Sequence, residues 1–211
     1  MRSFSNNLKS IVLYTQRVEI VESYNEIRDC ADQRIAEFVN ECGFIPIPVP
    51  NSAVIAKEIV SATNPAGIIL TGGNSLVKYG GNSPERDETD EVLIKLAIKN
   101  QIPLYGFCRG MQSILDYYGS VLVNVANHVA VRHRVHGKET DIEVNSYHNQ
   151  GCLELSSNEI EVVMKTEDGV IEKIKHKGLP IIGTMWHPER ESPFREKDIE
   201  MIRELFGGEN E

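Results

Sequence analysis

The residues with the clearest chemical potential lie in Tyr105-Gly106-Phe107-Cys108-Arg109-Gly110-Met111-Gln112. A short apolar run enters Gly-x-Cys-x-Gly and leaves as a helical pattern. Small residues on either side of a nucleophile permit a sharp strand-to-helix turn that lifts its side chain clear of the backbone. The helix N-terminus that follows offers free N–H groups and the positive end of a dipole, which favour a thiolate. Most lone cysteines are simply small buried apolar residues, so Cys108 needs a base and an oxyanion site before it counts as a nucleophile. The base is in Gly183-Thr184-Met185-Trp186-His187-Pro188-Glu189. Residues two apart in extended backbone point the same way, so Glu189 can hold the His187 imidazole in one tautomer and stabilise its protonated form. Alone, that segment reads as an ordinary His-Pro turn. Gly72-Gly73 follows another apolar run and lets a backbone N–H face a bound carbonyl closely. Together these segments predict a Cys–His–Glu triad suited to acyl transfer.

The elements that must position these groups follow from periodicity. Ile11 to Tyr14 and Ala66 to Leu70 read as buried strands, the second running into Thr71-Gly72-Gly73-Asn74. Tyr24 to Cys42 predicts a helix, with Ile27, Ala31, Ile35, Phe38 and Val39 at helical spacing and Gly43 as the stop. Phe44 to Pro50 is extended because its prolines forbid helix and suit an edge strand. Ser52 to Thr63 is helical, and a helix opened by acidic residues after Pro84 runs to about Lys99. Ile102 to Phe107 is the strand that delivers Cys108. The second half reads as strands at Val121–Val125, Ile142–Ser146, Ile160–Lys165, Val170–Lys175 and Pro180–Met185. Asp168-Gly169 marks a tight turn, and a last helix, about Arg195 to Phe206, stops at Gly207-Gly208. Strand–helix alternation predicts an α/β fold with a parallel sheet covered on both faces.

Composition narrows the class. With 41% hydrophobic and 25% charged residues in a 211-residue chain, one globular domain spanning 1–211 is expected. A net charge of −9 argues against general binding to nucleic acid or an anionic membrane. The stretch Met1 to Ser10 lacks an apolar signal core, no run approaches a bilayer span, and four cysteines without an export signal read as reduced thiols. The expected location is cytoplasmic.

Two further constellations stand out. His128, His133 and His136, with Cys152 further on, have a spacing that fits no common zinc pattern, so no metal site is assigned. The tract from His128 to Lys138 also holds Arg132, Arg134 and Lys138, the densest basic patch in an acidic chain. Its plain explanation is a solvated strand face balancing acids such as Glu139. Its functional reading is a seat for a phosphate-bearing leaving group, with Arg132 and Arg134 acting from one face.

Taken in order, Thr71-Gly72-Gly73, Gly106-Phe107-Cys108-Arg109-Gly110-Met111-Gln112, Val144-Asn145-Ser146-Tyr147-His148 and Gly183-Thr184-Met185-Trp186-His187-Pro188-Glu189 resemble the motifs of class I glutamine amidotransferases. The match covers essentially the whole chain. Pro84-Glu85-Arg86-Asp87 and the Asn-Ser-x-His form of the third motif resemble the free-standing γ-glutamyl hydrolase branch. The resemblance implies a flavodoxin-like three-layer α/β/α sandwich, with a largely parallel central sheet and additional strands in the second half. It implies Cys108 as nucleophile, His187 as base, Glu189 as its orienter, and the N–H groups of Gly73 and Arg109 as oxyanion hole. Gln112, Ser146 and Tyr147 would hold the glutamyl group, the latter two mainly through backbone, with His148 as a further candidate. No metal or organic cofactor is implied. The expected substrate is a small γ-glutamyl amide, phosphate-bearing if the basic tract serves it. The alternatives are a γ-glutamyl-aminobutyrate-type hydrolase and a glutaminase subunit feeding ammonia to a separate synthase partner.

Overall fold

Period-two alternation of apolar residues makes the central strands two-faced, and helices cover both faces. The computed structural model describes residues 9–138 and 140–207; most of the polar Met1–Ser10 stretch, Glu139 and Gly208 lie outside the described residues. The first half contains β1 (Ile11–Tyr14), β2 (Arg17–Val21), β3 (Glu26–Cys30), α1 (Gln33–Glu41), β4 (Ile45–Pro48), α2 (Ala53–Thr63), β5 (Gly67–Leu70), α3 (Pro84–Asn100), β6 (Leu104–Phe107) and α4 (Arg109–Tyr117). The second half contains β7 (Val123–Asn124), β8 (Val129–Gly137), β9 (Asp141–Tyr147), β10 (Gln150–Gly151), β11 (Ile160–Thr166), β12 (Ile171–His176), β13 (Ile181–Thr184) and α5 (Glu196–Phe206).

Nine strands form one sheet in the order β4-β1-β5-β6-β13-β12-β11-β8-β9. Pairing is parallel from β4 to β13 and antiparallel from β13 to β9. Leu13, Ile68, Leu70 and Leu104 pack with residues of α2, α3 and α4 on one face. Their neighbours Val12, Tyr14, Ile69 and Tyr105 pack with α1 and α5 on the other. This is the three-layer α/β/α architecture that the resemblance implies. Among the described residues no helix is long and apolar enough to cross a membrane.

One element departs from the periodicity reading. Tyr24 to Cys30 is not the start of a helix; it belongs to the β2–β3 hairpin, where Ile20 and Ile27 face each other across the strands and are largely exposed. Helix α1 begins only after Asp32, whose side chain caps the Arg34 N–H at 3.0 Å. The cause is tertiary. Asn74, in the loop after β5, exchanges two hydrogen bonds with the Val18 backbone (2.8 and 2.9 Å) and draws the hairpin over that loop. Asp29 accepts from the Asn51 backbone and side chain at 2.9 and 2.6 Å. Strand β7 is also shorter than Val121–Val125, because only Val123 and Asn124 pair with β10, while the Leu122 N–H turns to the Tyr79 hydroxyl.

Helix α3 buries a polar face, which its low amphipathicity hides from sequence. Arg109, 1% exposed at the start of α4, pairs with Asp90 and Asp87 of α3, and Ser113 completes the group by donating to Asp90 at 2.9 Å. Removing one partner of a buried pair leaves an uncompensated charge. Asp90→Ala should therefore cost about 3–5 kcal/mol of stability, read as a lower urea midpoint. Glu91→Ala, which frees only the exposed Lys95, should leave the midpoint nearly unchanged.

Candidate active site

Three adjacent parallel strands deliver their C-terminal ends to one place: β5 runs into Thr71-Gly72-Gly73, β6 into Cys108, and β13 leads to His187. Cys108 has φ 50° and ψ −111°, a conformation side chains other than glycine rarely adopt. The flanking glycines permit it. A Cβ on Gly110 would lie 1.9 Å from the Leu70 carbonyl oxygen, and one on Gly106 2.6 Å from the Gly110 backbone. The Cys108 N–H donates to the Thr184 carbonyl at 2.8 Å, tying the elbow to β13. Arg109 is the first residue of α4, so its N–H has no partner within the helix.

His187 is 3% exposed, and its Nδ1–H donates to Glu189 Oε1 at 2.7 Å. The two residues flank Pro188, the start of a one-turn 3₁₀ helix, Pro188–Arg190. Arg34 of α1 pins that turn by donating to the carbonyls of Glu189 (2.9 Å) and Glu191 (2.6 Å). Asn145 clamps the histidine backbone from β9: its Oδ1 accepts from the His187 N–H at 2.9 Å and its Nδ2 donates to the His187 carbonyl at 2.8 Å. Phe107 and Tyr147 stand edge-on to the imidazole at 5.4 and 5.6 Å between centroids. Burial favours the neutral ring, but the Cys108 sulfur and the Glu189 carboxylate outweigh it and hold the His187 pKa well above its ordinary value.

On the β5 side, the buried Arg86 guanidinium donates to the carbonyls of Thr71 and Gly72, both at 2.8 Å. Those carbonyls are thus turned toward α3. Gly73 takes φ 123°, open only to glycine, and a Cβ on Gly72 would strike His187 Cε1 at 2.7 Å. A recess of about 170 Å³ opens here, bounded by Gly72, Gly73, Phe107, His187 and Glu189, with Arg17 and Arg190 at its rim. A strained cysteine elbow beside a buried His–Glu pair, with a positive-φ glycine loop across from them, is an acyl-transfer constellation.

Comparison with known proteins agrees with that geometry. The family described as glutamine amidotransferase class-I matches residues 20–206. The chain belongs to the class I glutamine amidotransferase family. It is 32% identical over 199 residues to a γ-glutamyl-CDP-amidate hydrolase of Campylobacter jejuni subsp. jejuni, covering 91% of this chain and 95% of that protein. It is 27% identical over 236 residues to a γ-glutamyl-γ-aminobutyrate hydrolase of Escherichia coli, covering 90% and 91%. The solved structure of a protein assigned as a GMP synthase subunit, from Thermoplasma acidophilum, shares the fold, with a TM-score of 0.69, 19% identity, and coverage of 94% and 93%.

Within this amidotransferase fold the expected site residues divide. Cys108, His187, Glu189, Gly73 and the Arg109 N–H converge; the Arg109 side chain turns away into the α3 network. Gln112 is buried and donates to the Gln150 carbonyl at 2.8 Å. Tyr147 is partly exposed, with the Arg190 guanidinium 4.3 Å above its ring. The Ser146 hydroxyl points away from the recess, donating to the His128 carbonyl at 2.7 Å, so any contact it makes is through backbone. His148 is committed elsewhere, with Nδ1 on the Gln150 carbonyl at 3.1 Å and Nε2 toward Glu172 at 3.3 Å. The basic tract is not brought to the recess. Arg132 is already paired with Glu143 (2.9 Å) and Glu191 (3.0 Å), and Arg134 lines a separate cleft. Strand alternation predicted their shared face but not the acids of β9 and the 189–191 turn. Sequence reasoning also missed Asn145, Arg86 and Arg34 as positioning residues. The first two stand inside the motif segments; Arg34 has no sequence signal at all.

A raised pKa means the His187 imidazolium persists through neutral pH and loses its proton only in the alkaline range. NMR titration of the His187 ring should therefore show deprotonation well above 6.5, the usual histidine value, and Glu189→Gln should move it downward. A wild-type ring with the ordinary histidine pKa would contradict the ion pair.

Proposed function

We propose that this chain hydrolyses a γ-glutamyl amide through a thioester on Cys108. The observation that carries the reading is the convergence of Cys108, His187 and Glu189 at the carboxyl ends of β6 and β13. The Cys108 thiolate attacks the γ-carbonyl carbon, and the oxyanion takes the N–H groups of Gly73 and Arg109. The His187 imidazolium then protonates the departing amine as the C–N bond breaks. Neutral His187 next removes a proton from water, which attacks the thioester; the C–S bond breaks, glutamate leaves, and the Cys108 thiolate and His187 imidazolium are restored. Glu189 keeps Nδ1 protonated and the ring aimed throughout. Gln112 and the backbone of Ser146 and Tyr147 are assigned to the glutamyl end. The activity needs no cofactor in this scheme.

The leaving amine must depart beside His187, its proton donor, so the recess at that residue is assigned to the leaving group. Its rim residues, Arg17 and Arg190, suit a phosphate-bearing amine, because a guanidinium fork pairs with phosphate oxygens and both lie where a net charge of −9 would otherwise repel an anion. Arg17 is paired with the exposed Glu19, a contact that phosphate can replace at little cost. The two rim arginines take the role expected of Arg132 and Arg134. The substrate we favour is γ-glutamyl-CDP-amidate, giving glutamate and cytidine diphosphoramidate, with a role in capsule phosphoramidate synthesis. The likeness to the Campylobacter hydrolase over nearly its full length supports this choice.

Steady-state turnover of the isolated protein on γ-glutamyl-CDP-amidate, γ-glutamyl-γ-aminobutyrate and glutamine tests the reading. The first should have the highest kcat/KM; glutamine turnover that appears only with an added synthase would mark an ammonia-supplying subunit instead. Cys108→Ala should abolish turnover while the protein stays folded, and Glu189→Gln should cost less than His187→Ala, since the carboxylate orients while the imidazole moves the proton. Arg17→Ala and Arg190→Ala should each raise KM for the phosphorylated substrate about tenfold, the loss of roughly one charge-assisted hydrogen bond, and barely alter glutamine turnover. Arg134→Ala should change neither.

A further inference from the structure

The mechanism makes no use of a second buried cluster of ionisable groups, built where β8, the exit of β9 and β12 meet. Glu172 of β12 has no exposed surface, and three imidazole nitrogens converge on its Oε1: His148 Nε2 at 3.3 Å, His128 Nδ1 at 3.5 Å and His133 Nε2 at 3.6 Å. The first two contacts are too poorly aligned, and the third too long, to be hydrogen bonds. All three nitrogens and both carboxylate oxygens are buried without a hydrogen-bond partner among the described residues. Leaving that many buried polar atoms unsatisfied is costly unless something else satisfies them.

The spacing is that of donors sharing one small cation. Bonds of about 2.0–2.1 Å from a tetrahedral metal to nitrogen and oxygen place neighbouring donors about 3.4 Å apart. The ligand atoms of His128, His148 and Glu172 all lie within 4.8 Å of one another. The outward nitrogens are also arranged as metal-bound histidines require, with the far N–H held by an acceptor. His128 Nε2 sits 3.0 Å from the Asp168 carboxylate, and His148 Nδ1 sits 3.1 Å from the Gln150 carbonyl. When the ring is neutral, donation from the outer N–H in each of those bonds leaves the inner nitrogen's lone pair facing Glu172. A cleft of about 720 Å³ bordered by His128, His133 and Asp168 supplies an entry path.

We propose that His128, His148, Glu172 and His133 form a structural site for a divalent transition metal of zinc type. Three donors lie close enough together to share one ion, and His133 Nε2, 3.6 Å from Glu172 Oε1, is the fourth that would close the coordination sphere of a structural rather than a hydrolytic centre. A single carboxylate with three neutral imidazoles leaves one net positive charge, where three protonated rings around one carboxylate would leave two. The site joins β12 to β8 and the exit of β9, which the sheet connects only by way of β11. Its anchor at Gln150 is shared: the carbonyl that accepts from His148 also accepts from Gln112. The metal therefore braces the side of the catalytic site assigned to the glutamyl group, although its existence does not depend on that assignment.

Zinc is the probe, and Cys108→Ser is the background, so that the reactive thiol and His187 cannot supply a competing site. Full-length protein stripped with a chelator and dialysed against zinc should retain about one zinc per chain and melt at higher temperature. Cobalt in its place should give the intense visible bands of a four-coordinate ion without a thiolate charge-transfer band. His128→Gln and Glu172→Gln should lose more than the about 10–100-fold in affinity typical of removing an outer partner. If Glu172→Gln does not fold, His128→Gln decides, and if neither folds, the cobalt spectrum of the parent decides. Retention of less than about a tenth of an equivalent by folded parent overturns the proposal and leaves a buried ion-pair network. Zinc retained undiminished in His128→Gln, or six-coordinate or thiolate-bound cobalt, also overturns it.

Discussion

The Leu70 carbonyl and Gly110 approach each other more closely than any side chain would allow, with a Cβ there only 1.9 Å from the oxygen. That contact seats the first turn of α4 directly on β5, and the arrangement of reactive groups depends on it. It brings the loop after β5 beside the helix N-terminus, so that Gly73 and the free N–H of Arg109 can serve one oxygen. It also forces the chain to turn at Cys108 within a single residue, at a positive φ that persists because its surroundings over-determine it. The Thr184 carbonyl holds the Cys108 N–H, and the Cys108 carbonyl starts the helix by accepting from Gln112 at 3.1 Å. Because β13 supplies that Thr184 carbonyl, the strand that grips the elbow is the one that carries the chain to His187.

Charge is handled differently on the two sides of the elbow. Behind it, Arg109 and Arg86 are buried and committed, one to Asp87 and Asp90, the other to the carbonyls of Thr71 and Gly72. Buried groups of this kind specify geometry because leaving any of them unpaired is expensive. In front of it, the His187–Glu189 pair is buried but keeps Nε2 for chemistry, and Arg17 and Arg190 remain at the rim. The chain therefore uses its interior cations for backbone and helix placement and leaves surface cations beside the recess, within a Debye length of the site.

The antiparallel extension β12-β11-β8-β9 serves the same centre from a distance. Asn145 reaches from β9 to fix both backbone groups of His187, and Tyr147, the last residue of β9, stands edge-on to the imidazole. The Glu172 cluster is tied to the catalytic side through backbone acceptors: the Gln150 carbonyl accepts from Gln112 and His148, the His128 carbonyl from Ser146, and the Glu172 carbonyl from the Met185 N–H. Strands that look peripheral in the sheet order are thus structural supports for a histidine 42 residues away from Asn145 in sequence.

Much of this was legible in the chain itself. Gly-x-Cys-x-Gly after a buried run, His-Pro-Glu after another, and Gly-Gly after a third encode local backbone geometry, and local geometry is set by neighbouring residue types. The alternation of strands and helices in the first half was legible for the same reason. The β2–β3 hairpin was not, because Ile27 at helical spacing from Ala31 is outweighed by Asn74 binding Val18 56 residues away. Nor was the pairing of Arg132 with Glu143 and Glu191, which shows that a basic run has no fixed function until its acids are known. The spacing of His128, His133, His136 and Cys152 fits no common zinc pattern, and it says nothing of His148 or of Glu172 arriving from another strand. The sequence by itself determined the cysteine elbow, the His-Pro-Glu turn and the glycine loop that presents its N–H groups, because each depends on residues within a few positions. Only the tertiary structure decided which charges are free and which buried groups meet, because those depend on contacts between strands distant in sequence.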